Sequence, residues 1–280
     1  MDGAPPPGPS PLGLIAGNGR FPFLVAAAGR RAGRRVVAVA IKEETDPALA
    51  GEVDEIHWVS LGQLGRCIDA LKGGGVQEAV MAGQVKHKQI FAGIVPDLKM
   101  MALLARLALK NTDSLIGAVA DALGREGIAL LSSTVLLQDE MATVGAMTRR
   151  RPAADELKDV EYGREVARAL AGFDIGQTVV VKDRAAVAVE AMEGTDEVIR
   201  RAGRIAGAGC TVVKVAKPRQ DVRFDVPVVG PGTVAAMSEA QARVLAVQAG
   251  ATLLLDRAEL LAQADRADFA VWGFEAPASR

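Results

Sequence analysis

The chain has 280 residues, half of them hydrophobic, with 33 basic and 34 acidic side chains and a net charge of −1. That length accommodates two ordinary domains or one large one around a sizeable core. Near-neutral charge and an aromatic content of 4% argue against a protein devoted to nucleic acid, which needs a basic surface or exposed stacking rings.

The opening, MDGAPPPGPSP, lacks the basic start and apolar core of a signal peptide and reads as a flexible lead-in. No uncharged apolar run is long enough to span a bilayer. The two cysteines, Cys67 and Cys210, lie far apart without ligand-type spacing. Both read as buried thiols in a reducing, cytoplasmic compartment.

In chain order, Leu12 to Ala16 is a short apolar strand, followed by a loop at Gly17, Asn18, Gly19 and Arg20. A helix over Phe21 to Ala32 and a strand over Arg35 to Ile41 complete a β-loop-α-β unit, the usual opening of an α/β sheet. The loop is a candidate phosphate cradle, through its backbone N–H groups and the helix terminus, or simply a structural turn. It does not carry the spaced-glycine dinucleotide fingerprint, and Ala40, Ile41 and Lys42 stand where that fingerprint needs an acid.

Glu55 to Val59 and Glu78 to Ala82 read as strands, with a helix over Gly62 to Lys72 between them. His57 lies within the first of these strands and reads as structural. Lys86, His87 and Lys88 follow the second strand, where open sheets bind ligands. They are either an anion site or ordinary surface side chains. Lys99 to Leu109 reads as a buried helix. Asn111, Thr112 and Asp113 offer a cap for the next helix, with a ligand contact as the costlier reading of Asp113, and Ile128 to Leu131 is a strand.

The texture changes between Asp139 and Pro152, where a linker divides the chain into domains of residues 1–145 and 146–280. Beyond it the pattern predicts helices over Glu156 to Leu170, Ala185 to Met192 and from Gly194, the last capped by Thr195 or Asp196. It also predicts strands at Thr178 to Val181 and Thr211 to Val215, then a helix over Val234 to Gln248. A strand over Thr252 to Leu255, a helix over Arg257 to Gln263 and a strand over Asp268 to Val271 close the chain. The expected fold is therefore α/β in two domains: a Rossmann-like open sheet, then a separate α/β domain.

The stretch TVVKVAKPRQDVRFDVPVVGPGT, residues 211–233, organises the reading. Its strand is interrupted by Lys214. Lys217, Arg219, Asp221, Arg223 and Asp225 then fall at alternate positions, and on an extended segment they share one face. That face suits a phosphate held through a divalent metal. It equally suits an edge strand whose charges block aggregation.

Four segments carry a resemblance: LGLIAGNGRFP (12–22), AGQVKHKQIF (82–91), DIGQTVVVKDRAAVAVEAMEGTDE (174–197) and TVVKVAKPRQDVRFDVPVVGPGTV (211–234). Along nearly its whole length from Leu12 the chain resembles the UDP-2,3-diacylglucosamine pyrophosphatases of lipid A biosynthesis. The resemblance implies a magnesium-dependent hydrolase that releases UMP and 2,3-diacylglucosamine 1-phosphate (lipid X). It implies two domains with the lipid product held in a cleft between them, and it makes Asp225, in the R-x-D segment, the catalytic position. With two histidines, the chain lacks the histidine-rich metal signature of calcineurin-like enzymes that perform the same step.

Pyrophosphate cleavage develops negative charge on the transferring and leaving oxygens, which a divalent metal and nearby cations neutralise. Magnesium takes oxygen ligands and keeps several waters, so one or two carboxylates suffice. Asp225 fits as a metal ligand or as the group that orients water, with Asp221, Glu190, Asp196 and Asp183 as further candidate carboxylates. Lys217, Arg219 and Arg223 are candidate phosphate neutralisers, and Gly17, Asn18, Gly19, Arg20, Lys86 and Lys88 the candidate nucleotide and phosphate binders. No Ser-His-Asp or Cys-His set suggests a covalent intermediate, so direct attack by water is preferred. A diacylated substrate implies peripheral contact with the inner membrane from the cytoplasmic side; a homodimer is left open. The rival readings are a nucleotide-binding oxidoreductase or transferase and a non-catalytic nucleotide or lipid carrier.

Overall fold

The computed structural model describes residues 9–85, 95–105, 112–218 and 220–276. The chain separates into two compact units, residues 1–137 with 222–224, and residues 138–221 with 225–280.

The first unit is built on five parallel strands: β1 (Leu12–Ala16), β2 (Val36–Ile41), β3 (Glu55–Val59), β4 (Glu78–Ala82) and β5 (Ala129–Leu130), in the order β3-β2-β1-β4-β5. This is a doubly wound order. It reverses between β1 and β4, where such sheets open a crevice at their carboxyl ends. The strands read as continuous apolar runs because both faces are covered. Helix α1 (Phe21–Arg31) covers one face, its Gly29 so close to Leu12 and Val36 that an added Cβ would crowd both. On the other face, Val37 and Val39 pack with Leu64, Ile68 and Leu71 of α2 (Leu64–Gly73) and Leu123 of a later helix (Thr112–Arg125). Alternation of side chains along β2 dictates that division. A short helix, α3 (Leu98–Leu104), precedes the Thr112–Arg125 helix, α4. Of the helix expected over 99–109, residues 99–104 are helical, Ala105 is the C-terminal cap of α3, and 106–109 lie outside the described residues.

The second unit has a mixed six-stranded sheet. Its strands are β6 (Gly145–Ala146), β7 (Thr178–Lys182), β8 (Ala185–Val189), β9 (Thr211–Lys214), β11 (Val244–Gln248) and β13 (Ala270–Phe274), in the order β6-β13-β11-β9-β7-β8. A separate parallel pair joins β10 (Val228–Val229) to β12 (Leu253–Leu254). Helix α5 (Ala154–Gly172) packs Val160, Ala167 and Ala171 on Val179, Val181 and Val213. The opposite face carries α6 (Thr195–Ala206), α7 (Pro231–Glu239) and α8 (Arg257–Arg266). There Ile199, Met237 and Leu260 meet Val180, Val212, Leu245 and Val271. Each fully buried valine or leucine contributes roughly 1.5–3 kcal/mol.

Two predicted helices are corrected. Residues 185–189 are not helical but form β8, which pairs antiparallel with β7 through a two-residue turn at Asp183 and Arg184. Both turn residues have positive φ, 51° and 59°, the geometry of the type I′ turn that matches strand twist. The helix expected over 234–248 ends at Glu239. Gln241 enters the left-handed region (φ 49°), and Val244–Gln248 runs as the buried strand between β9 and β13. Such an uninterrupted apolar run fits a central parallel strand as well as a buried helix.

The charged segment after β9 is also corrected, since it is not extended. Gln220 N bonds Lys217 O at 3.3 Å, Asp225 N bonds Asp221 O at 2.8 Å, and residues 222–224 form a turn. Its alternating charges therefore do not share a strand face. Val222–Phe224 group with the first unit, where Ser133 N donates to Val222 O at 3.0 Å. Arg219 lies outside the described residues.

Candidate active site

Lys214 is the last residue of β9 and is 3% exposed. It shares a sheet face with Val212, the face covered by α6 and α7. Its ammonium donates to Thr195 Oγ1 at 2.7 Å, and Thr195 donates onward to Glu190 Oε1 at 2.9 Å. Thr178 Oγ1 lies 3.3 Å from the same hydroxyl, and Gln177 N donates to Glu190 Oε2 at 3.3 Å. Burial pushes the Lys214 amine below its ordinary value, while the charges of Glu190, Asp196 and Asp225 pull it back up.

The starts of two helices assemble this cluster. Thr195 and Asp196 open α6, but the position before the helix is Gly194, and neither side chain caps it as the sequence predicts. Both side chains are engaged elsewhere: Thr195 with Lys214 and Glu190, and Asp196 with α7, where Thr233 Oγ1 donates to Asp196 Oδ1 at 2.8 Å. Gly232 has no room for a side chain, because a Cβ would come within 2.4 Å of Asp196 Oδ2. The carboxylate thus rests on the first turn of α7, where the helix dipole favours negative charge.

Asp225 is within electrostatic reach of Lys214, and its side chain is 24% exposed. Lys217 Nζ lies 3.6 Å from Asp225 Oδ2 and 2.7 Å from Asp174 Oδ1. Asp225, Lys217 and Glu190 all belong to the second unit. Arg223 belongs to the first, in a groove lined by Asp121, Gly124, Arg125 and Leu130. Asp183 sits in the hairpin turn. The sequence reading passed over Lys214, Thr195's bridging hydroxyl and Thr233. A lysine inside an apolar strand is the signal that marks the first of them.

In the first unit, the Gly17–Arg20 loop lies at the sheet's switch point, but much of its polarity is turned inward. Gly17 N donates to Ala82 O (2.9 Å) and Asn18 N to Gln84 O (2.7 Å), while Asn18 Nδ2 donates to Glu44 O (3.1 Å). A Cβ on Gly17 would stand 2.6 Å from Gln84 O, so close backbone approach already accounts for that glycine. Gly19 and Arg20 are exposed ahead of α1. Lys86, His87 and Lys88 lie outside the described residues.

Among the described residues, no three His, Cys, Asp or Glu side chains converge as metal ligands. Asp225, Asp221 and Glu190 therefore form no protein cage, and both oxygens of Glu190 accept protein hydrogen bonds. A single carboxylate completed by phosphate oxygens and water remains compatible with magnesium, and partly exposed Asp225 fits that role.

Fold and cluster together define a two-domain α/β protein with a buried lysine among carboxylates in its second unit. Residues 11–140 match the LpxI N-terminal domain and residues 143–272 the LpxI C-terminal domain. The UDP-2,3-diacylglucosamine pyrophosphatase LpxI of Caulobacter vibrioides is 30% identical over 275 residues, covering 94% of this chain and 97% of that protein. The chain belongs to the LpxI family. Likeness to solved structures is slight. Gox2253 (12% identity, TM-score 0.33) covers 95% of this chain and 78% of its own. Rhizobium etli pyruvate carboxylase (14%, TM-score 0.29) covers 62% of this chain and 15% of its own.

Proposed function

We propose that the chain hydrolyses the pyrophosphate bond of UDP-2,3-diacylglucosamine to UMP and lipid X, the step that its LpxI membership assigns to lipid A biosynthesis. The observation that carries the reading is the match to both LpxI domains, joined end to end by a relative named for this activity. The second unit supplies Asp225 and most of the catalytic charge; the first supplies Arg223 and the nucleotide side, through the loop of Gly17, Asn18, Gly19 and Arg20, of which Gly19 and Arg20 are exposed, with Lys86 and Lys88. Among the described residues no helix is long and apolar enough to cross a membrane. Because a diacylated substrate resides in a bilayer, the reading has the enzyme work from the cytoplasmic side by peripheral contact with the inner membrane.

Asp225 orients the attacking water and accepts its proton as the bond to phosphorus forms. Lys217 and Arg223 neutralise phosphate oxygens while the leaving phosphate departs with the bridging electron pair. Asp225 is the residue that would hold magnesium, which would supply further neutralisation of the developing negative charge. The test is UMP release from UDP-2,3-diacylglucosamine. Turnover stops on chelation and returns with magnesium. Full turnover after exhaustive chelation, with metal content verified, contradicts the magnesium assignment.

A further inference from the structure

We propose that Gln248 and Gln220 are positioning residues for this hydrolysis: their side-chain carbonyls hold the backbone N–H groups of Ala216 and Lys217, and so fix the point from which the Lys217 ammonium reaches the phosphate oxygens. The inference rests on the phosphate-neutralising role given to Lys217 above.

β9 ends at Lys214, which pairs with Val247 on one side and with Thr178 on the other. The chain then leaves the sheet, and each backbone N–H that follows needs an acceptor. Val215 N still finds a backbone one, Gln177 O at 2.9 Å. Ala216 N donates instead to Gln248 Oε1 at 3.2 Å, and Lys217 N to Gln220 Oε1 at 3.1 Å. Gln248 is the last residue of β11, the strand beside β9, so the first clamp is anchored in the sheet. The second is local. Gln220 N returns to Lys217 O at 3.3 Å, closing a turn that the chain enters at Pro218, whose fixed φ suits that place.

Packing alone does not call for an amide at residue 220. Its Nε2 is buried with no acceptor among the described residues, a cost that an apolar side chain would avoid. The Lys217 N–H settles which end of the amide is the carbonyl, since a donor needs the oxygen and not the NH2 group. What the side chain supplies is therefore an acceptor for Lys217 N. Beyond the clamp, the Lys217 stem carries Nζ to 2.7 Å from Asp174 Oδ1 and 3.6 Å from Asp225 Oδ2. A lysine stem is flexible, so a fixed starting point narrows where its charge can go. Misplacing a group at the reacting centre by about 1 Å costs up to about 100-fold in rate.

The experiment combines site-resolved amide hydrogen exchange with kcat and KM for UMP release, on the full-length chain, with folding checked by circular dichroism. Gln220→Met and Gln248→Met keep a side chain of similar length without its carbonyl. Gln220→Met is expected to speed exchange at Lys217 N, and Gln248→Met at Ala216 N, on the order of tenfold. Each is expected to lower kcat about tenfold and to move KM less than about threefold. In a Lys217→Met background, either change is expected to cost less than about threefold, because a group that acts through Lys217 has little left to act on. Should Gln248→Met fail to fold, Gln220→Met, outside the sheet, carries the same cycle. Faster exchange with wild-type kcat, or kcat losses that multiply with that of Lys217→Met, overturns the proposal and leaves the glutamines as structural clamps. Retained kcat in Lys217→Met itself overturns the reading of Lys217, and this inference with it. An impaired Lys217→Met beside fully active glutamine variants overturns the inference alone.

Discussion

Lys217 Nζ stands 3.6 Å from Asp225 Oδ2 and 2.7 Å from Asp174 Oδ1. The longer separation lies beyond hydrogen-bond range but well within that of charge. Asp174 is 60% exposed, so its pairing with Lys217 is screened and weak. Asp174→Asn is therefore expected to leave kcat within about threefold, whereas Lys217→Met lowers it roughly 10- to 100-fold, as loss of a phosphate-neutralising cation does. Steady-state UMP release checks both. Equal effects from the two variants would place Lys217 in a surface pair and outside the chemistry.

A second expectation concerns acid stability in the first unit. Glu126, just beyond α4, accepts from Lys72 of α2 at 2.9 Å and from Lys99 of α3 at 2.8 Å. These bonds hold its carboxyl down from 4.5 to about 2. A depressed carboxylate contributes stability above its unfolded value and loses it as pH falls through the folded one. The window therefore runs from about 4.5 down to about 2. The difference in thermal midpoint between wild type and Glu126→Gln should narrow steadily across it. Added salt should narrow it too, since these groups face solvent. A difference that stays constant from neutral pH to pH ~2 contradicts the linkage.

Much of the fold was legible in residue order. β1, β3 and β4 match the predicted bounds, because short apolar runs between glycine-bearing loops allow little else in a parallel sheet. β8 was hidden because AAVAV is alanine-rich and its turn, Asp183–Arg184, has no glycine to announce it. β11 was hidden because VLAVQ carries no period that separates a central strand from a buried helix. The role proposed for Asp225 comes from the resemblance rather than from residue order. The Lys214 cluster was not legible, because its partners come from two helix starts and a hairpin that only tertiary packing brings together.

That turn yields a direct stability test. Asp183 and Arg184 both hold positive φ, which most side chains resist. Asn-Gly is the pair that best tolerates the type I′ geometry. The Arg184 N–H bond to Asp159 Oδ1 (2.7 Å) is a backbone bond and survives substitution. Asp183→Asn combined with Arg184→Gly should raise stability by about 0.5–2 kcal/mol, read as a higher denaturant midpoint with unchanged slope. A lower midpoint would mean that Arg184's side chain contributes more than its backbone strain costs.

The most direct measurement is phosphorus NMR of full-length protein with UDP-2,3-diacylglucosamine and magnesium, run in parallel on wild type and folded Asp225→Ala. The account predicts that the pyrophosphate resonances of the substrate give way to those of UMP and lipid X with wild type. It predicts that they persist with Asp225→Ala, at a rate lower by at least about 100-fold. Unchanged substrate with the wild-type protein, or matching conversion by both proteins, would contradict it.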